Sequence, residues 1–312
     1  MTLGLLPSPL AGAKGQTDDL MSPGKPLDSV SHSELAGGRR PGEGSWPRGD
    51  GQVRIYNYHL NEFAEVTFRK GENLDPEGLK AFQALLRSRD NFEQKAIDPR
   101  LLDLLDHLQD HFQADQIEII SGYRRQELNQ SLLRQGHKVS PVSLHTQGQA
   151  LDIHIDEIRE ETLRDYLAGL KLGGLGYYGP LDFVHVDVGP VRQWAEPRGP
   201  RKLVGVLDPQ AAVRLTSDRN DYLPGETLHF TWEWPEAFDP ALIQELRLEL
   251  FRRGRWQACP TAPRSEKSFG LPSEVLRCEG REQPSYGKFR WTFHLKDGSQ
   301  TLSSNEFYLK KQ

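Results

Sequence analysis

Two phrases carry residue types that could do chemistry. They are Ser143-Leu-His145-Thr-Gln-Gly148-Gln-Ala150-Leu-Asp152 and Asp182-Phe-Val-His185-Val-Asp187. Two imidazoles and one carboxylate, here His145, Asp152 and His185, are a ligand set of catalytic zinc. Three protein ligands leave the fourth tetrahedral position to water, which zinc makes acidic enough to be a nucleophile near neutral pH. Asp182, three residues before His185, is the candidate base for that water's proton. Asp187 is its rival, or a partner that orients a ligand. Ser143 and His154 are candidates for hydrogen bonds behind the ligands. Arg124, in Ser121-Gly-Tyr-Arg124, is a candidate cation for a substrate carboxylate or a developing oxyanion.

The elements that must position these residues are legible as patterns. Residues 149–155 alternate, with Leu151, Ile153 and Ile155 on one face and Asp152 and His154 on the other. Residues 182–188 read as the next strand. If the two strands are neighbours, Asp152 and His185 converge, and His145 enters from the polar loop before the first. Gly148 and Ala150 are small, as needed where backbone passes close to a metal. A short strand over 116–120 runs straight into Ser121-Gly-Tyr-Arg124. Strands are expected over 53–58 and 64–69, and helices over 125–133 and 160–171. Asp75-Pro76 and Asp98-Pro99 each open a helix, with Asp as N-cap and Pro in the first turn. Leu101, Leu104, Leu105, Leu108 and Phe112 give the second of these its apolar stripe. The run from Gly173 to Gly179 reads as a tight glycine-rich turn. It lacks the strand–loop–helix setting and the following Lys-Ser/Thr of a phosphate loop.

The chain of 312 residues is long enough for two ordinary domains. Hydrophobic content of 36% supports real cores, and a net charge of −5 argues against a nucleic-acid partner. No apolar run approaches the roughly 18–20 residues of a membrane span. Residues 1–50 read as a disordered leader and linker rich in Gly, Pro, Ser and charge. Within it, residues 3–13 are apolar and end in Ala11-Gly-Ala13, like a signal-peptidase site, yet Pro7 and Pro9 interrupt the run and no basic segment precedes it. Residues 51–200 are expected to form the zinc domain. After the hinge prolines Pro197, Pro200 and Pro209, residues 201–312 carry short alternating runs expected to form an all-β immunoglobulin-like sandwich. Cys259 and Cys278 both lie there, as a local disulfide in an oxidising compartment or as two buried thiols.

Together, the phrases around Arg124, His145 and His185, with Gly174-Leu-Gly-Tyr-Tyr, resemble the zinc D-Ala-D-Ala metallopeptidases, whose fold is shared with the hedgehog signalling domain. More narrowly, they resemble the YcbK-like murein endopeptidase branch, over residues 53–195. The resemblance implies an α+β domain with a small antiparallel sheet and flanking helices. It implies Zn2+ on His145, Asp152 and His185, peptidoglycan peptides as substrate, and a periplasmic or cell-envelope location. Where many relatives carry Glu three residues before the last ligand, this chain has the shorter Asp182. The C-terminal sandwich lies outside the resemblance, with a cell-wall glycan or a protein as its possible partner. A D,D-carboxypeptidase would share the same ligands, and a zinc-containing binding or adaptor protein without turnover is the non-enzymatic alternative.

Overall fold

The computed structural model describes residues 46–135, 139–195, 213–260, 267–278, 284–295 and 301–311, with the backbone of 25–26. The signal-like run and the hinge prolines lie outside the described residues.

The N-terminal part is mixed α+β. Its elements are β1 (Gln52–Asn57), β2 (Glu62–Thr67), α1 (Pro76–Leu85), α2 (Pro99–Phe112), β3 (Ile117–Ser121) and α3 (Gln126–Arg134). They continue with β4 (Ala150–His154), α4 (Glu160–Leu170), β5 (Gly174–Tyr178), β6 (Phe183–Asp187) and β7 (Arg192–Ala195). The helix starts follow the sequence: Asp75 accepts from Glu77 N and Asp98 from Arg100 N, each with Pro in the first turn.

The sheet departs from the small antiparallel one expected. Eight strands run in the order Lys25–Pro26, β7, β5, β6, β4, β3, β1, β2. Two pairs, β1 with β3 and β5 with β7, are parallel. The first has a plain cause: the long connection through α1 and α2 returns the chain so that β3 enters alongside β1 in the same direction.

The run from Gly173 to Gly179 is strand β5 inside this sheet, not a turn. Its glycines make room for side chains laid across it. A Cβ at Gly176 would stand 2.6 Å from the Trp194 ring, and one at Gly174 2.3 Å from the Asp187 carboxylate.

Alternation divides the sheet. Ile55, Ile117, Ile119, Leu151, Ile153, Val184 and Val186 pack with residues of α1, α2 and α4 in one core. Ile120 and Phe183 pack on Leu132 of α3 in a smaller cluster. Being out of phase with the first set, Asp152, His154, His185 and Glu118 belong to this second face.

The C-terminal part is built from strands β8 (Arg214–Ser217), β9 (Asp221–Tyr222), β10 (Thr227–Glu233), β11 (Ile243–Arg252), β12 (Arg255–Cys259), β13 (Ser268–Pro272), β14 (Gly287–Leu295), β15 (Thr301–Ser303) and β16 (Phe307–Leu309). They form a three-stranded sheet, β8-β10-β13, and a larger sheet with path β9-β16-β14-β11-β12 and β15 beside β14. Both sheets contribute to one core around Phe230, Trp232, Trp291 and Phe307. Cys259 and Cys278 form a disulfide.

This part packs on the second face of the N-terminal sheet. The Tyr56 and Phe251 rings meet edge to face at 4.9 Å, and Lys311 N donates to Glu157 O at 2.7 Å. Two buried ammonium groups enter the same seam. Lys288 reaches Glu118 at 2.5 Å and Asp156 at 3.4 Å, and Lys310 reaches Glu160 at 3.1 Å. A salt bridge this dry must be fully paired to be tolerated, which fixes how the two parts meet.

Candidate metal centre

The pairing of β4 with β6 sets Asp152 directly opposite His185. Both side chains leave the second face, so they meet above one point of the sheet. His145 comes from the 3-10 turn Leu144–Gln147, which ends at Gly148 in the left-handed region (φ 69°). Glycine is required there twice over. The backbone conformation disfavours a side chain, and a Cβ would meet Ala96 O at 2.2 Å. Gly148 O accepts from Asp98 N at the start of α2, so the turn is tied to the helical layer.

His145 Nε2 lies 3.3 Å from Asp152 Oδ2 and 3.2 Å from His185 Nδ1, and His185 Nδ1 lies 2.8 Å from Asp152 Oδ1. Ligands on a tetrahedral zinc at about 2.0–2.1 Å stand roughly 3.3 Å apart, so the two ring nitrogens and the Asp152 carboxylate, each of whose oxygens faces one ring, are spaced like three ligands around one ion.

The other nitrogens assign the tautomers. His145 Nδ1 donates to Gly122 O at 2.9 Å and His185 Nε2 to Asp187 Oδ2 at 3.0 Å. Each ring then turns its free lone pair to the shared point.

Burial would raise the Asp152 carboxyl, but its close approach to His145 and His185 holds it well below the usual range. Burial pushes the His145 imidazole down, towards the neutral form that binds metal. On His185, burial is outweighed by the neighbouring Asp152 and Asp187 carboxylates, and its pKa is raised.

Arg124, Ser143, His145, Asp152, His185 and Asp187 all line one pocket of about 120 Å³. Arg124 is buried, with its guanidinium 3.9 Å from Asp152 Oδ2 and further contacts to Asn129 and Ser121 at 3.3 Å. Asp187 accepts from Gly174 N, Gly189 N and both terminal nitrogens of Arg192, besides His185. Burial opposes its charge, yet those partners hold its carboxyl well below the usual range. Its contact with His185 Nε2 orients that ring.

Two expected residues are elsewhere. Asp182 is outside the pocket lining. It precedes β6 at the end away from Asp187, and a strand advances about 3.3 Å per residue, so it stands roughly 10 Å from His185 along the chain. Its charge is felt by Tyr308 of the C-terminal part. His154, two residues beyond Asp152 on the same face, points into the seam. It lies 2.8 Å from Glu160 and 3.2 Å from Asp156, stacked edge to face with Tyr308.

Sequence reasoning missed Trp194 and Arg192. The Trp194 ring lies 5.1 Å from that of His185 and its Nε1 donates to Tyr178 OH at 2.9 Å, so it walls the pocket. Nothing in their local pattern marks them. Only the parallel pairing of β7 with β5 brings them in.

A family profile described as peptidoglycan L,D-endopeptidase MepK matches residues 47–194. The chain is 35% identical over 143 residues to the protein named peptidoglycan L,D-endopeptidase MepK of Escherichia coli (strain K12), covering 46% of this chain and 79% of that one. It is 31% identical over 140 residues to the protein of Haemophilus influenzae named "Probable peptidoglycan L,D-endopeptidase MepK", covering 44% and 75%. The matched stretch contains every residue of the metal pocket.

Proposed function

The chain belongs to the peptidoglycan L,D-endopeptidase MepK family, and from that premise we propose that it hydrolyses L,D peptide cross-links of bacterial peptidoglycan through a zinc ion held by His145, Asp152 and His185. The observation that carries this reading is the convergence of three ligand atoms whose ring tautomers are already fixed from behind. Bound there, zinc supplies a Lewis acid for the scissile carbonyl and acidifies a water.

The chain's own residues do the rest. Arg124 keeps a positive charge in a dry wall of the pocket, suited to a substrate carboxylate or to the oxyanion. Arg192 and Asp187 hold His185 in place. Tyr178 and Trp194 offer a flat wall for the peptide. The pattern of the second phrase offers Asp182 as base, but its place outside the pocket lining argues against that role, and we assign it none.

The disulfide supports an oxidising location such as the periplasm or cell envelope. No helix among the described residues is long and apolar enough to cross a membrane. We assign residues 51–200 to the peptidase unit, of hedgehog-like arrangement, and residues 201–312 to an immunoglobulin-like sandwich, supported by two sheets sharing one core. A glycan or protein partner for that sandwich is part of the same proposal.

The experiment is a muropeptide profile of sacculi incubated with the zinc-loaded protein, with and without chelator. Loss of L,D-linked dimers that the chelator prevents is the expected result. Release of terminal D-Ala with dimers intact would replace the reading by a D,D-carboxypeptidase, and an unchanged profile with zinc in place would leave a non-catalytic zinc protein.

A further inference from the structure

Three groups of side chains among the described residues bring metal-capable atoms within 4.8 Å of one another. The first is the pocket above. The second, Glu118, His154 and Asp156, already holds a cation, because the Lys288 ammonium lies 2.5 Å from Glu118 and 3.4 Å from Asp156. The third is Asp50, Asp106 and Asp110. Asp106 and Asp110 are one helical turn apart on α2, and Asp50 belongs to the loop that leads into β1.

We propose that Asp50, Asp106 and Asp110 form a second cation site, for a hard divalent ion of the calcium class, on the opposite side of the sheet from the zinc ligands. Oxygen-only donors of this kind select calcium or magnesium over zinc. Asp106 is fully buried, and its Oδ1 has no hydrogen-bond partner. Its Oδ2 accepts from Gly49 N at 3.1 Å and Gly51 N at 2.9 Å, so the side chain cannot turn away to satisfy Oδ1. Asp110 Oδ2 accepts from Asp50 N at 3.0 Å.

Anchoring the loop accounts for these Oδ2 atoms but not for the buried, unpaired Oδ1, which costs free energy unless a cation or proton meets it. None of the three carboxylates is in an ion pair among the described residues. Burial, then the charges of Asp110 and Asp50, push the Asp106 carboxyl up to about 6, as expected of acids that lack a counter-charge. The loop itself is shaped around the two helix carboxylates. A Cβ at Gly49 would stand 2.3 Å from both Asp106 Oδ1 and Asp110 Oδ2.

Calcium takes six to eight oxygens, and water supplies those the protein does not. A route for water exists, since Asp50 and Asp110 border a cavity of about 450 Å³ that Gln52, Gln109 and Glu157 line together with Arg54, Arg252 and Lys311. The ion would bind the start of β1 to α2.

The test is calcium titration of the zinc-loaded full chain, followed by calorimetry and thermal unfolding, with zinc content checked by elemental analysis. One calcium per chain is expected, at a dissociation constant of about 10⁻⁴–10⁻³ M, the range of extracellular calcium modules, with a rise in Tm. Asp106→Asn keeps an oxygen for the glycine N–H groups and should weaken binding at least ~10-fold. Asp50→Asn, at an exposed position, should do the same, and it decides the matter if the Asp106 variant does not fold. Absence of calcium uptake by the parent protein, or uptake unchanged in Asp50→Asn and any folded Asp106→Asn, overturns the proposal. Turnover with zinc present should be the same in Asp50→Asn as in the parent.

Discussion

Lys288 of β14 places its ammonium 2.5 Å from Glu118 of β3, joining two strands 170 residues apart in sequence. Burial pulls the Lys288 pKa down, but Asp156, Glu118 and Glu306 hold it well above its ordinary value, so it stays charged. Removing one member of such a pair leaves an uncompensated buried charge. Lys288→Met should therefore lower stability by about 3–5 kcal/mol. Adding Glu118→Gln in the same chain should recover part of it. Chemical denaturation of the four proteins of this cycle measures the coupling, and simple additivity would mean that the pair is not what holds the seam.

Asp187 meets the ring of His185, one of the three residues proposed to hold the metal. Replacing it with Asn keeps the size but removes the charge that fixes the ring, so metal affinity should fall about 10–100-fold, as for other partners behind metal ligands. Competition with a chromophoric chelator reads this directly. An affinity equal to the parent's would show that Arg192 and the strand pairing hold His185 without it.

Asp182 separates two readings of the second phrase. A general base contributes about 10²–10⁴ in rate. From its place outside the pocket, Asp182→Ala should cost less than ~10-fold in kcat on a cross-linked muropeptide. A loss of several hundredfold at unchanged zinc content would restore it as the base.

Glu157 offers a pH test away from the metal. Burial, then the charge of Asp156, push its carboxyl up to about 7 from an ordinary value of 4.5. A raised acid binds its proton more tightly when folded. It therefore favours folding below about pH 4.5, and that contribution is lost as pH rises through about 7. The parent should lose on the order of 3 kcal/mol relative to Glu157→Gln across that window, and nothing further above it. Thermal unfolding of both proteins from pH 4 to 8 checks the sign. Parallel curves would place the Glu157 carboxyl in better solvent contact than its 4% exposure indicates.

Much of the candidate metal centre was readable because a strand's period of two sorts residues by face. Asp152 separates from Leu151 and Ile153 on that ground alone, and Asp75-Pro76 and Asp98-Pro99 mark helix starts by local chemistry. The same period put His154 beside Asp152 in the expected cleft. What it could not show is that one face of the sheet is shared between a pocket and a docked β-unit, which claims His154. Asp182 lies outside the pocket lining for a related reason: three residues along a strand is a long way, a distance that spacing on paper conceals. The glycines of β5 looked like a turn because their neighbours across the strand, Trp194 and Asp187, come from later in the chain.

Gly176 lies opposite Trp194 in the parallel pairing of β5 and β7, and a methyl group there would collide with the indole. The shape of the cleft beside His185 is thus governed by a missing carbon atom on a residue with no side chain to offer. Alanine at 176 would be a steric dial on the aromatic wall, displacing the ring while every donor and acceptor of the centre keeps its identity. The aromatic wall beside His185 is therefore open to adjustment from a position that no inspection of polar groups would choose.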